Sequence, residues 1–182
     1  LAANTDNDTI RLTGPTVETT IWGGKGEDSI QLRNTVTNSS IYANSGNDTI
    51  NVTAAVQNSF INGGQGDDRV SLTGTVTSST VVAGSGADLL SFSNVVGNAS
   101  IQGFGGSITD TSNDTVVLSS TANDINVTFA EGADSLSFAK GATNATVAAA
   151  GGNDTVVAAL TLASSSIEAG AGDDSLSISV LS

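Results

Sequence analysis

The sequence predicts an all-β protein built as a parallel solenoid of nine coils, each about 20 residues long, with two parallel sheets. Three observations carry that prediction. The chain repeats with a period of 20: repeats begin at Leu1, Ile21, Ile41, Ile61, Val81, Ile101, Val127, Val147 and Ile167, and only the sixth (26 residues) and the ninth (16) depart from that length. The eighth column of every repeat is aspartate. Each repeat also holds two short runs in which apolar residues face one way. The repeats use all 182 residues, so residues 1–182 read as a single array with no linker or second domain. Leu1 already stands in register, which leads us to expect a segment of a longer protein.

Along one coil, each piece has a reason. A run such as "SSIYA" places the column-one residue, always Leu, Ile or Val, on an inward face among small neighbours. A glycine-rich loop follows, with Gly in column six of seven repeats and Asp6 and Ser112 in the other two. After the aspartate, runs such as "DTINV" alternate, so that columns ten and twelve share the inward face. A Thr-, Ser- and Asn-rich link such as "RNTVTNSS" closes the coil, and the sole proline, Pro15, lies in the first of these. Strands this short cannot close a core singly, but stacked coils bury a continuous one. At about 4.8 Å per coil, the rod would be roughly 40 Å long. An antiparallel meander or barrel is the alternative; identical columns favour stacking like on like.

Composition narrows the function. Eighteen Asp and Glu against five Lys and Arg give a net charge of −13. That argues against binding nucleic acid or inserting in an anionic membrane, and favours cations or plain solubility. Without Cys no disulfide forms, and no 18-residue apolar run spans a bilayer. Without His or Cys, two common acid–base and nucleophile routes are closed, and a periodic line of carboxylates is not a unique acid–base pair in a pocket. The chain therefore reads as non-enzymatic.

Half of the 18 acids occupy one column: Asp8, Asp28, Asp48, Asp68, Asp88, Asp114, Asp134, Asp154 and Asp174. Stacking puts them in a line at about 4.8 Å spacing. Each neighbouring ionised pair would then repel by roughly 3.5 kcal/mol at an effective dielectric of 20. Eight such contacts exceed the usual net stability of about 5–15 kcal/mol. Five basic residues cannot neutralise the line; Arg11 and Arg33 fall on the solvent side of a strand, and Lys25 and Arg69 do not recur. The donors offered are carboxylate and carbonyl oxygens, a hard set that suits Ca2+. The loop glycines Gly24, Gly26, Gly46, Gly64, Gly66, Gly84, Gly86, Gly132, Gly152, Gly170 and Gly172 would let the backbone turn carbonyls toward the ion. The alternative for any single aspartate is a turn cap bonded to nearby N–H groups.

The stretches "GGKGEDSIQ", "GGQGDDRVS" and "AGGNDTVVA" resemble the RTX, or haemolysin-type, nonapeptide GGxGxDxUx. The resemblance covers the whole chain. It implies a right-handed parallel β-roll with calcium between adjacent coils, held by the turn aspartates and loop carbonyls. This sequence departs from the family in one respect. RTX rolls carry two nonapeptides per coil, whereas each coil here has one, and its other link lacks an acid column. Calcium is therefore expected on one edge only. Long Thr-, Ser- and Asn-rich arrays of this kind also resemble cyanobacterial S-layer-like and oscillin-like surface proteins.

Several features carry competing expectations. The six extra residues of repeat six fall between Ile101 and Asp114. They form either a bulge without a role, with weakened calcium binding beside Asp114, or a device by which Asp110 replaces Asp114 as ligand. Glu27, Asp67 and Asp173 in column seven read as solvated acids or outer charges around the ion. Asn38, Asn58, Asn98 and Asn144 share column eighteen and suggest an amide ladder. Trp22 and Tyr42, both in column two, suggest a stacked pair outside the coil.

The expected function is structural: a calcium-rigidified segment of a secreted or cell-surface bacterial protein, such as an S-layer, surface filament or motility-associated coat. External calcium suits binding in the range of about 10⁻⁴ to 10⁻³ M, which the cytosol does not. The alternatives are an adhesin or ice-binding solenoid module, or an accessory RTX segment of an exported enzyme. Neither end shows a capping helix or charged strand, so the partners expected are calcium and either further repeats or end-to-end copies of the chain.

Overall fold

In a computed structural model, described for residues 1–105 and 110–179, strand-forming segments recur once per coil and stack in parallel. The first sheet has nine strands in chain order, from Thr9–Leu12 through Ser29–Leu32, Thr49–Val52, Arg69–Leu72, Leu89–Phe92, Thr115–Leu118, Ser135–Phe138 and Thr155–Ala158 to Ser175–Ile178. Its register pairs like columns, as in Ile30 with Ile50 and Leu32 with Val52. Leu89–Phe92 pairs with Thr115–Leu118, so the extra residues of repeat six leave this sheet unbroken. The second sheet, of 14 strands, is likewise parallel where its pairings are described; Thr20–Lys25, Ser40–Ser45, Phe60–Gln65 and Thr80–Ser85 are its longer early members. The all-β parallel solenoid with two sheets is thus what the chain forms, and no described residue lies in a helix.

The core runs along the axis. Columns ten, twelve and one supply it, with Ile21, Ile30, Leu32, Ile41, Ile50, Ile61, Leu72 and Phe92 all fully buried. Two core columns were not anticipated. Column three, read as part of the flexible loop, points inward and holds Ala43, Ala83, Phe129 and Ala149. Column sixteen lies in the link, where two-residue strands such as Val36–Thr37 and Val76–Thr77 pair from coil to coil and bury Val36, Val56, Val76 and Val96. The link is therefore a third side of the coil.

Column eighteen turns that corner. Asn38, Asn58, Asn98 and Asn144 have φ of 48–52°, in the left-handed region that Asn tolerates better than most residues. The backbone explains the asparagines better than an amide ladder does. The amide bonds described from them run from coil to coil within the column, from Asn98 Nδ2 to Ser78 Oγ and from Asn144 Nδ2 to Asp124 Oδ1, and neither joins two amides. Beside them the buried serines Ser39, Ser59 and Ser79 bridge coils. Ser59 Oγ accepts from Ser39 N–H at 3.2 Å and donates to Gln57 O at 2.7 Å. Neutral hydroxyls thus satisfy this edge.

Removing one of the largest core side chains tests the stacking. Phe92→Ala is expected to cost about 3–5 kcal/mol in denaturant melts, while Ser91→Ala, on the outward face beside it, is expected to change stability by no more than about 0.5 kcal/mol.

Candidate metal centre

The glycine-rich edge is organised differently. All nine column-eight aspartates stand in one line, and the seven from Asp28 to Asp154 are buried, at 2–4% exposure. From Asp28 onward, each carboxylate bonds to the coil before it. Its Oδ1 accepts the backbone N–H of the aspartate in the preceding coil. Asp8 N–H donates to Asp28 Oδ1 at 2.7 Å, Asp28 to Asp48 at 2.6 Å, Asp48 to Asp68 at 2.7 Å and Asp68 to Asp88 at 2.6 Å. The series continues through Asp88, Asp114, Asp134 and Asp154 to Asp174. The cap is therefore real, but it reaches across coils rather than within the turn.

The other oxygen has no such partner. Oδ2 of Asp28, Asp48, Asp68, Asp88, Asp134 and Asp154 is buried without a hydrogen bond, and these six account for most of the ten buried side-chain atoms so placed. Oδ2 faces the interior of the turn. A Cβ added at Gly63 would lie 2.5 Å from Asp68 Oδ2, and one at Gly23 would lie 2.7 Å from Asp28 Oδ2. A buried ionised oxygen left unpaired is costly. Six such oxygens along one line, four before Asp114 and two after it, leave buried carboxylate without a described partner.

Burial is the larger cause of that cost. It pushes the Asp48 carboxyl up to about 6, those of Asp68, Asp114 and Asp134 to about 7, and that of Asp88 to about 8. The N–H bond to Oδ1 pulls the other way, and repulsion from neighbouring aspartates adds to the rise. Sequence reasoning had assigned the whole penalty to like-charge repulsion. Desolvation exceeds it, because the turn closes over the carboxylates.

The loop glycines lie where the line needs close backbone. Gly46 has φ 124° and Gly64 has φ 121°. A side chain at Gly64 would collide with the Asn44 carbonyl of the preceding coil, and one at Gly46 with that of Gly26. Gly24, Gly26, Gly66, Gly84, Gly86, Gly132, Gly152, Gly170 and Gly172 share the positive φ. So do Asn44 and Ala150 in column four. The backbone is held by coil-to-coil bonds such as Gly46 N–H to Gln65 O. Among the described residues, no three acidic side chains converge in a cluster that could hold a metal. Carbonyl oxygens would therefore complete any coordination shell, as expected for hard cations.

Column seven has a role that the sequence did not reveal. Asn7 Oδ1 accepts Glu27 N–H at 2.8 Å, Asn47 Oδ1 accepts Asp67 N–H at 2.9 Å, and Asp67 Oδ1 accepts Ala87 N–H at 2.9 Å. Asn153 does the same for Asp173. Adjacent N–H groups of the turn are thus satisfied from opposite neighbours, column seven from the coil before and column eight from the coil after. The signal lay in the repeated Asn-Asp pairs.

On the outer face, Trp22 and Tyr42 stack with centroids 4.4 Å apart and planes 13° apart. Phe60, from column twenty, continues the row beside Tyr42 at 5.5 Å.

Comparison with known proteins agrees with this geometry. Residues 37–54 and 52–74 match the RTX calcium-binding nonapeptide repeat. A sequence search of the curated proteins gives no match. Among solved structures, the chain is similar to a hyperactive, Ca2+-dependent, β-helical antifreeze protein from an Antarctic bacterium, with a TM-score of 0.72 and 24% identity. That likeness covers 98% of this chain and 62% of that one, and it concerns the fold.

Proposed function

We propose that this chain, which carries RTX-type repeats, is a calcium-stabilised rod, and that its role is structural, in a secreted or cell-surface protein such as an S-layer, surface filament or motility-associated coat. The observation that carries the reading is the line of buried Oδ2 atoms without partners on a chain with net charge −13. Asp8, Asp28, Asp48, Asp68, Asp88, Asp114, Asp134, Asp154 and Asp174 would supply carboxylate, and the loop backbone at the column-four and column-six glycines would supply carbonyls. The bound ion provides positive charge where burial and stacking leave carboxylate unpaired. The opposite edge, with its serine ladder, offers no comparable donor line, which supports calcium on one edge only. No described helix is long and apolar enough to cross a membrane.

The outermost described rung supports association along the axis. Leu176 is 52% exposed and Ile178 40%, although their columns are buried in the interior rungs. Another copy of the chain stacked on this rung would bury these side chains. The line of aspartates makes calcium a requirement for such a contact.

Ice binding is a second reading, supported by the fold likeness to the antifreeze protein. The outward rows speak against it. Column nine of the first sheet reads Thr9, Ser29, Thr49, Arg69, Leu89, which is not a uniform surface.

Calorimetric titration of metal-free residues 1–182, followed by light scattering, tests the proposal. The expected result is saturable binding of several Ca2+ ions per chain, with growth in size at millimolar calcium. Absence of binding would overturn the calcium rod. A stable monomer when saturated would overturn the association alone. Thermal hysteresis at saturating calcium would replace the structural role with ice binding.

A further inference from the structure

Away from the aspartate edge, one stretch of the outer face departs from the repeat. Columns two and twenty point outward, and in the later coils they hold residues such as Gln102, Thr128, Thr80 and Ser100. In coils two to four they hold Trp22, Tyr42 and Phe60 instead. These three rings stand on the outside, Trp22 at 43% exposure, whereas Phe92, Phe129 and Phe138 are buried in the core. Coil stacking does not call for them, because coils without them pair in the same register, as in Val82 with Gln102.

Beside Tyr42 the row opens into a groove of about 310 Å3. The sequence explains its shape. Tyr42 pairs with Asn62 of the next coil, so a large ring gives way to a short amide. Column four then passes from Asn44 to Gly64 and Gly84, which have no side chain to fill the space. At the far end Gly105 lies against Gly84, where an added Cβ would be 3.1 Å from the Gly84 Cα. Gly105 stands at the head of the coil-six insertion, whose residues 106–109 lie outside the described part of the structure. That insertion leaves the aspartate line in place: Asp114 Oδ1 still accepts Asp88 N–H at 2.9 Å, so Asp110 does not replace it there.

We infer that this groove binds a neutral sugar ring, laid on the free face of Tyr42. Trp22 covers one face of Tyr42, and the opposite face looks along the axis toward Asn62. An aromatic face is electron-rich and attracts the C–H groups of a sugar's apolar side. The rest of the lining is amide and hydroxyl, from Asn44, Asn62, Gln65, Ser45 and Ser85. These groups both donate and accept, as sugar hydroxyls do. Asn44 Nδ2 donates to Tyr42 O at 3.4 Å, which fixes that amide beside the ring. Asn62 Oδ1 has no hydrogen-bond partner among the described residues, so the fold does not claim it. The volume falls at the lower end of the range for small-molecule sites, about 300 to 1,000 Å3. No lining residue is charged, which suits a neutral ligand. A nucleotide base could also stack on Tyr42, but a chain of net charge −13 repels its phosphate. The inference goes beyond the calcium rod and needs from it only the folded coils.

The test is an array of neutral gluco-, manno- and galacto-oligosaccharides, with uronic-acid and sialylated oligosaccharides alongside, probed with calcium-loaded residues 1–182. Calorimetric titration of the best neutral binder follows, with circular dichroism as the check on folding. Saturable binding of a neutral oligosaccharide is expected. Tyr42→Ala should weaken it by about tenfold or more, the size of one stacked ring. Gln65→Ala should weaken it by about threefold, the size of one hydrogen bond. Thr128→Ala, further along the same outward column, should leave it unchanged. Gln65 and Ser85 are exposed, so the double variant Gln65→Ala, Ser85→Ala carries the test should Tyr42→Ala not fold. Three results would overturn the sugar site: no neutral oligosaccharide bound by the folded chain, binding confined to the acidic ones, or neutral binding that survives both Tyr42→Ala and the double variant. If the wild type binds no glycan and Tyr42→Ala abolishes growth in size with calcium, the row belongs instead to contacts between rods. None of these results bears on calcium binding, which the titration of the metal-free chain reads separately.

Discussion

Chelating calcium at pH 8 is expected to unfold the rod, with loss of the β-sheet circular dichroism signal at a temperature where the calcium-loaded chain is intact. At that pH the carboxyls of Asp48, Asp68, Asp114 and Asp134, raised to between about 6 and about 7, are largely ionised. Their Oδ2 atoms are then charged, or remain buried at the cost of holding a proton. Neighbours about 4.8 Å apart repel by roughly 3.5 kcal/mol each at a dielectric of 20. A domain of net stability about 5–15 kcal/mol does not withstand several such contacts. A bound ion reverses the balance, since each site at a hundredfold excess over Kd contributes about 2.7 kcal/mol. The shift in melting temperature between chelator and millimolar calcium measures the sum. A melting temperature at pH 8 that chelator does not change would mean the line needs no cation.

The metal-free chain is expected to become more stable as pH falls from about 8 to about 4, the reverse of the usual acid lability of carboxylate-rich proteins. The folded carboxyls of Asp48, Asp68, Asp88, Asp114 and Asp134 lie above their ordinary value, chiefly through burial. The folded state therefore binds more protons than the unfolded chain, whose aspartates titrate near 3.9. Stability from these groups is full below about pH 4 and is lost as pH rises through about 6 to 8. Five independent groups would give a slope of at most about 7 kcal/mol per pH unit, and coupling along the line spreads it over a wider range. With calcium present the dependence inverts, because the ion binds the ionised form and its binding near neutral pH releases protons. Melts across pH 4 to 9, with chelator and with calcium, give both slopes. A metal-free chain more stable at pH 8 than at pH 5 would contradict the account.

Much of this was legible in the sequence because a solenoid writes its geometry as columns. The 20-residue period gave the coil, columns ten, twelve and one gave most of the core, and the aspartate of column eight marked the edge where buried carboxylates line up. What escaped was what one coil does to the next. Val36, Val56 and Val76 sit in a Thr-rich link whose two-residue strands are too short for an alternation to register. Ala43 and Ala83 share a column with Gly23 and Gly63, and looked like loop; their inward direction comes from the turn, not from their apolarity. The division of six of these carboxylates into a bonded Oδ1 and an unbonded Oδ2 has no signature in composition. It made the cap and the metal ligand look like rivals, where the geometry gives the cap one oxygen and leaves the other unbonded.

The central claim is that cations lie along the aspartate line and nowhere along the opposite edge. Anomalous diffraction from crystals of residues 1–182 grown in millimolar calcium tests it most directly. The account predicts a row of peaks in step with the coils, beside Asp28, Asp48, Asp68 and their successors, and none beside the serine row of Ser39, Ser59 and Ser79. A map with no peaks between Asp28, Asp48 and Asp68 would contradict it.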